Sequence, residues 1–398
     1  MGRRITDKVT WVGKIDWELR RFHGDELSTH RGTSYNSYLI RDEKNILIDT
    51  AWGPYDKEFV SNLKKEIDLN DIDCIVINHG ESDHSGSLVE LMEQIPETPI
   101  YCSVNGKKSL KGLYHKDWNF VTVKTGDTLD IGSETLTFVE AKMLHWPDTM
   151  FTYMSGDNIL FCTDAFGQHY ASEKLFNDKV DQTELFEEAF KYYANILTPF
   201  NKLVSAKIKE ILAMNLPLDY LCTSHGVIWR DDPVQIVEKY LEWSDNYKED
   251  QITILYDTMW EGTRRFAEAI ADGITGTDED TTVKLYNLSK TDKNDVIAEV
   301  FRSKAVLVGS PTINKGITYA TAGILEMIEG LKMTGKIGGA FGTYGWSGES
   351  VKVIAEKLEK SGFKMPVEET KALWNPDEEA LENARKFGEA FANIANEQ

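Results

Sequence analysis

From residue 251 to the last helix the chain repeats one pattern: a short apolar run, a turn, an amphipathic stretch, then another apolar run. Periodicity predicts strands over 251–256, 282–288, 305–309 and 336–341, with helices over 263–273, 293–301 and 320–331 between them. Helices over 350–361 and 377–392 close the series. Strands joined through helices cannot pair as hairpins, so this segment must form a parallel sheet, doubly wound, with helices on both faces.

The residues before it read differently. Short β-rich runs at 37–40, 45–49 and 73–78 are mixed with amphipathic stretches at 55–67, 87–94, 182–196 and 202–214, which is an α/β pattern without strict alternation. A closing helix over 232–247 is followed by the charged break Lys248-Glu249-Asp250. A chain of 398 residues is long for one core and suits two. The expected division is therefore 1–249 and 250–398.

Charge and cysteine content remove several classes of function. Asp and Glu outnumber Lys and Arg by 65 to 44, a formal charge of −21, which disfavours nucleic acid and anionic lipid as partners. No uncharged apolar run approaches the ~20 residues that cross a bilayer, and the polar start Met1–Lys8 lacks the apolar stretch of an export signal. A cytoplasmic protein is expected. Cys74, Cys102, Cys162 and Cys222 are far apart, each in an apolar run, so these residues build neither a disulfide frame nor an iron–sulfur or rubredoxin-type centre.

The densest chemistry is His79-Gly80-Glu81-Ser82-Asp83-His84, directly after the apolar run 73–78. His145 after 136–144, Asp164 after 159–163 and His225 after 218–224 repeat that placement, so all four sites are expected to cap strands. A single His or Asp at a strand end is ordinarily a hydrogen-bonded structural group. Four of the chain's eight histidines at such positions, two within one hexapeptide, favour a metal centre. Four imidazoles and three carboxylates, without thiolate, suit iron, manganese or zinc. They exceed one tetrahedral site, and two metals bridged by Asp164 would use them all.

The second segment carries its own constellation. The run 251–256 leads into Asp257-Thr258-Met259-Trp260-Glu261-Gly262-Thr263 and a helix start, where hydroxyls, free N–H groups and the helix dipole can hold a phosphate. This resembles the flavodoxin T-x-x-x-x-T loop. Two more loops follow strands on the same edge: Ser310-Pro311-Thr312-Ile313-Asn314 and Gly342-Thr343-Tyr344-Gly345-Trp346-Ser347-Gly348. Aromatic rings at Trp260, Tyr344 or Trp346 can stack on a flat ring, so FMN is expected; a dinucleotide is disfavoured because no G-x-G-x-x-G follows the first strand.

The hexapeptide resembles the H-x-H-x-D-H signature of the metallo-β-lactamase fold, with Glu81 where most hydrolases of that fold place histidine. That replacement marks the flavodiiron proteins. Trp11-Val12-Gly13, Phe22-His23-Gly24, Arg31–Asn36, Met143–Asp148, Asp164–His169, Tyr192–Leu197, Ser224–Arg230 and Asp257–Trp260 also resemble that family. The resemblance implies an N-terminal metallo-β-lactamase-like αββα sandwich and a C-terminal flavodoxin-like domain. It implies one iron on His79, Glu81 and His145, a second on Asp83, His84 and His225, and Asp164 as bridge; in some members the residue matching His84 is turned away. It places His23, His169 and Tyr193 near the irons, where they can supply hydrogen bonds or a proton. The activity implied is reduction of dioxygen to water, of nitric oxide to nitrous oxide, or both, with electrons relayed through FMN. Partners implied are a rubredoxin, its reductase or a reduced deazaflavin as donor, and a head-to-tail homodimer or a dimer of dimers. Two rival readings are a zinc hydrolase with a flavodoxin-like appendage and a non-catalytic flavin electron carrier.

Overall fold

The computed structural model describes residues 2–397, which form two compact units. The first comprises the chain up to Tyr192 together with Phe200–Asp245, and the second Tyr193–Pro199 together with the chain from Asn246.

The first unit is built on two large sheets, beside two small two-stranded ones, Lys14–Asp16 with Thr33–Tyr35 and Arg21–Phe22 with Leu27–Ser28. One has seven strands in the order Arg3–Arg4, Val9–Trp11, Tyr38–Arg41, Asn45–Ile48, Cys74–Val76, Ile100–Ser103 and Phe120–Val123. The other has five: Thr128–Asp130, Thr135–Glu140, Met150–Met154, Ile159–Thr163 and Tyr220–Thr223. Their inner faces share one core, in which Ile46, Ile48 and Val76 from the first sheet meet Phe138, Met150 and Phe161 from the second. Helix Val104–Tyr114 lies against strands Ile100–Ser103 and Phe120–Val123 of the first sheet, and helices Asp56–Leu63 and Leu88–Gln94 pack on each other. This is the metallo-β-lactamase-like arrangement. Strand Cys74–Val76 is buried at every position, as a strand covered on both faces must be.

The second unit is a five-stranded sheet, parallel throughout, in the order Thr282–Asn287, Glu249–Tyr256, Ser303–Pro311, Ile337–Tyr344 and Thr370–Leu373. Numbered by sequence that order is 2-1-3-4-5, the flavodoxin-like winding, whose direction reverses between the first and third strands. Helices Gly262–Thr277 and Glu378–Asn396 bury Phe266, Ile270, Ala384 and Phe391 against one face. Lys293–Arg302, Tyr319–Gly330 and Ser350–Lys360 cover the other. The fifth strand, Thr370–Leu373, is short and exposes two of its four residues, so it carries little hydrophobic periodicity.

Candidate metal centre and flavin site

Strand Cys74–Val76 delivers residues 77–84 to the rim of the sandwich, and a few bonds fix the delivery. The Asn78 N–H donates to buried Asp49 Oδ1 at 2.8 Å, Thr152 Oγ1 donates to Asn78 Oδ1 at 2.7 Å, and the Met150 N–H donates to Asn78 O at 2.9 Å. Glu81 is extended, φ −60° and ψ 150°, so the side chains of residues 79 and 81 leave on one side. The chain then turns into a single helical turn, Ser82–Ser85, which points Asp83 and His84 inward. Asp164 directly follows Ile159–Thr163, and His225 lies two residues beyond Tyr220–Thr223. His145 differs from the expectation: the strand ends at Glu140, and His145 sits in the connection before Met150–Met154.

Ligand atoms of the seven residues gather in two groups, His79, Glu81, His145 and Asp164 in one and Asp83, His84 and His225 in the other. In the first, His79 Nε2 is 3.1 Å from Glu81 Oε2 and 3.4 Å from Asp164 Oδ2, and His145 Nε2 is 3.5 Å from both oxygens. In the second, Asp83 Oδ2 is 3.3 Å from His84 Nε2 and 3.1 Å from His225 Nε2, and Asp164 Oδ1 is 3.1 and 3.3 Å from the same nitrogens. Each oxygen of Asp164 thus faces one group. Atoms bound at about 2.1 Å to one ion lie roughly 3–3.5 Å apart, which is the spacing here.

The donor set also fits cations electrostatically. Burial raises the Asp164 carboxyl, yet the surrounding imidazoles, His84 first and then His145 and His225, hold it well below the usual carboxylate range. Burial opposes ionised Glu81 in the same way, and hydrogen bonds from His23 and His79 overcome it. Asp83 Oδ1, His84 Nε2 and Asp164 Oδ2 are buried without a hydrogen-bond partner. Each such atom costs about 1–3 kcal/mol, a cost that metal ions bound between these side chains would remove.

Around the groups lie further polar residues. His23 Nε2 is 2.9 Å from Glu81 Oε1, and Phe22 stacks on its ring. His169 Nδ1 is 3.0 Å from Thr33 Oγ1, while its Nε2 is buried and unpartnered. Tyr193, expected near the irons, instead stacks on Phe301 with ring centroids 5.7 Å apart. Its neighbour Tyr192 donates to Asp164 Oδ1 at 3.2 Å. Successive helical residues point about 100° apart, so on helix Gln182–Ile196 only one of the two can face the carboxylate.

In the second unit a cavity of about 460 Å³ is lined by Thr258, Met259, Trp260, Gly262, Thr263, Pro311, Thr312, Thr343, Tyr344, Gly345, Trp346, Trp374 and Asn375. All three predicted loops contribute. Thr258 Oγ1 is buried without a partner beside the start of helix Gly262–Thr277, which fits a phosphate acceptor. Thr263 and Thr343 join two loops through a 2.8 Å hydroxyl contact. Trp260 and Trp346 are 88% and 86% exposed, so each presents a free ring face at the rim to a flat aromatic ligand. The other residues of these loops do not line the cavity. Ser310 Oγ accepts from the Thr318 N–H and donates to Pro311 O, Glu261 pairs with Arg264, and Ile313 and Asn314 form an exposed tip; Gly342, Ser347 and Gly348 belong to the loop framework. Trp374 and Asn375 follow the short fifth strand, so the sequence pattern that located the other loops could not locate theirs.

Comparison with known proteins agrees with both halves. Residues 33–226 match the family described as ODP family beta lactamase, and residues 254–388 match the flavodoxin family. The chain is 56% identical over 390 residues to the anaerobic nitric oxide reductase flavorubredoxin of Klebsiella pneumoniae, covering 98% of this chain and 81% of that protein. Its fold matches rubredoxin oxygen:oxidoreductase from the anaerobe Desulfovibrio gigas with TM-score 0.96 at 37% identity, covering 100% of this chain and 99% of the other. The flavodiiron protein of Giardia intestinalis gives TM-score 0.95 at 32% identity, with 100% and 97% covered. Paired histidine–carboxylate groups sharing Asp164, a flavodoxin-like sheet with its phosphate loop, and these likenesses over nearly the whole length agree: the chain belongs to the flavodiiron protein family.

Proposed function

We propose that this oxidoreductase reduces dioxygen to water, nitric oxide to nitrous oxide, or both, at a non-haem di-iron site supplied through FMN. The observation that carries the reading is Asp164, whose two oxygens each meet a separate histidine–carboxylate group. His79, Glu81 and His145 would hold one iron, Asp83, His84 and His225 the other, and Asp164 would bridge them. When bound, the two irons would supply redox chemistry at this pocket and FMN one-electron transfer. The protein residues hold the ligands in place, exclude water and provide protons. Tyr192 donates to the bridge, and His23, only 38% exposed, joins Glu81 to the surface as a route for protons. Burial above all pushes the His169 imidazole well below its ordinary value, so it remains neutral beside the site.

FMN would be held by Thr258, Thr263 and the N–H groups at the start of helix Gly262–Thr277, with its ring among Trp260, Tyr344, Trp346 and Trp374. The functional division falls at 249/250: all proposed iron ligands precede it and all proposed flavin contacts follow it. The four cysteines are free and buried and none joins a ligand group, so electrons come from outside these residues, from a rubredoxin, a rubredoxin reductase or a reduced deazaflavin. A head-to-tail homodimer, or a dimer of dimers, would bring the flavin of one chain to the irons of the next. No described helix is long and apolar enough to cross a membrane, in keeping with a cytoplasmic enzyme. Metal analysis separates this reading from a zinc hydrolase: two irons and one FMN per chain are expected, and a lone zinc would overturn it. A mere electron carrier would consume neither gas.

A further inference from the structure

The four imidazoles in the metal groups are not equally supported on their far side. His225 Nδ1 lies 2.7 Å from the backbone carbonyl of Ser34, a neutral acceptor. His79 Nδ1 lies 3.1 Å from Oδ1 of Asp148, and both side chains are buried, at 0% and 1% exposure. The other oxygen, Oδ2, accepts from the Gly80 N–H at 2.9 Å, and Ser109 on helix Val104–Tyr114 stands beside the same glycine. The backbone oxygen of Asp148 accepts from Ser103 Oγ at 2.8 Å. The fit is close: a Cβ at Gly80 would stand 2.7 Å from Asp148 Oδ2 and 2.9 Å from Ser109 Cβ, which reserves that position for glycine.

We infer that Asp148 is a positioning residue that orients His79 toward the metal and strengthens it as a ligand. This rests on the di-iron reading above. A carboxylate on Nδ1 keeps the proton there, so Nε2 presents its lone pair to the metal, and the negative charge makes the imidazole a stronger donor. Removing such an outer partner typically weakens metal binding about 10- to 100-fold. The contrast with His225, whose Nδ1 faces only neutral oxygens of Ser34 and, at 3.5 Å, Thr33, marks His79 as the imidazole backed by a carboxylate.

The test compares iron-loaded wild type, Asp148→Asn and Ser109→Ala by competition with a chelator and by Mössbauer spectroscopy of protein loaded with enriched iron. Asp148→Asn keeps the shape and an oxygen acceptor but removes the charge. One iron per chain is expected to bind about 10- to 100-fold more weakly, with one of the two doublets altered and the other unchanged. Ser109→Ala, which loosens the same loop without touching His79, is expected to hold both irons like wild type. Wild-type retention of both irons in Asp148→Asn would overturn the inference, and so would equal weakening in Ser109→Ala. Wild-type protein holding fewer than two irons would overturn the di-iron reading itself, and this inference with it.

Discussion

At the scale of single residues, Glu81 determines which chemistry the sandwich supports. It lies 3.1 Å from His79 Nε2 and 2.9 Å from His23 Nε2, so it is both a candidate ligand and the link to His23, which is more exposed than His145 or the other proposed histidine ligands. Replacing it with histidine removes a negative charge from the first metal group and breaks the His23 pair. Glu81→His is expected to lower iron occupancy below two per chain and to slow gas consumption at least about tenfold, measured by metal analysis and by oxygen or nitric oxide electrode. Unchanged occupancy and rate would remove Glu81 from the site. The hexapeptide was legible because six consecutive residues after a strand have few places to go. Tyr192 and Tyr193 were not distinguishable in the same way, because both are aromatic, adjacent and on one helix. Only the helix phase shows that Tyr192 meets Asp164 and Tyr193 meets Phe301.

At the scale of elements, the second unit contains two features with measurable consequences. Helices Gly262–Thr277 and Glu378–Asn396 cross so closely that a Cβ at Gly273 would stand 2.0 Å from Arg385 O, and one at Gly388 would stand 2.2 Å from Ile270 O. Alanine is the better helix former by about 1 kcal/mol, so an exposed position would gain from it. Here the backbones must separate, and Gly273→Ala or Gly388→Ala is expected to destabilise the unit by about 1–3 kcal/mol in denaturant titration; a stabilised variant would contradict the close crossing. The second feature is Lys336, whose Nζ donates to Phe301 O at 2.7 Å and Ser303 O at 2.6 Å. Burial, with a smaller effect of Lys248, pushes it from 10.5 down to about 7. Because the folded value lies below the unfolded one, its contribution is present above about pH 10.5 and lost as pH falls toward 7. The stability of wild type relative to Lys336→Met should therefore rise between pH 7 and 10.5, and a difference independent of pH would refute the assignment. Strands and helices were legible here from the alternation of apolar runs. The edge strand Thr370–Leu373 was not, because four residues, two of them exposed and one buried, carry too little period, and Trp374 and Asn375 were missed with it.

At the scale of the whole molecule, the seven proposed ligands lie entirely in the first unit and the flavin cavity entirely in the second. Each site should therefore be lost without the other. Asp164→Ala is expected to release iron and abolish gas consumption while flavin absorbance persists, and Thr258→Val to weaken FMN binding while two irons remain. Simultaneous loss in either variant would mean that the two sites do not form independently. The fold class was legible because the strand–helix alternation and a strand-end metal loop each leave a local pattern, whereas the strand order 2-1-3-4-5 is non-local. The placement of His145 was less so, since its apolar run continues past the end of the strand at Glu140 into a turn. The measurement that bears most directly on the central claim is anaerobic reduction of the iron-loaded, FMN-loaded protein, followed by separate exposure to dioxygen and nitric oxide. Reoxidation of the flavin with disappearance of at least one gas over repeated turnovers is the predicted result, absent in Asp164→Ala. A reduced protein that leaves both gases unconsumed would contradict it.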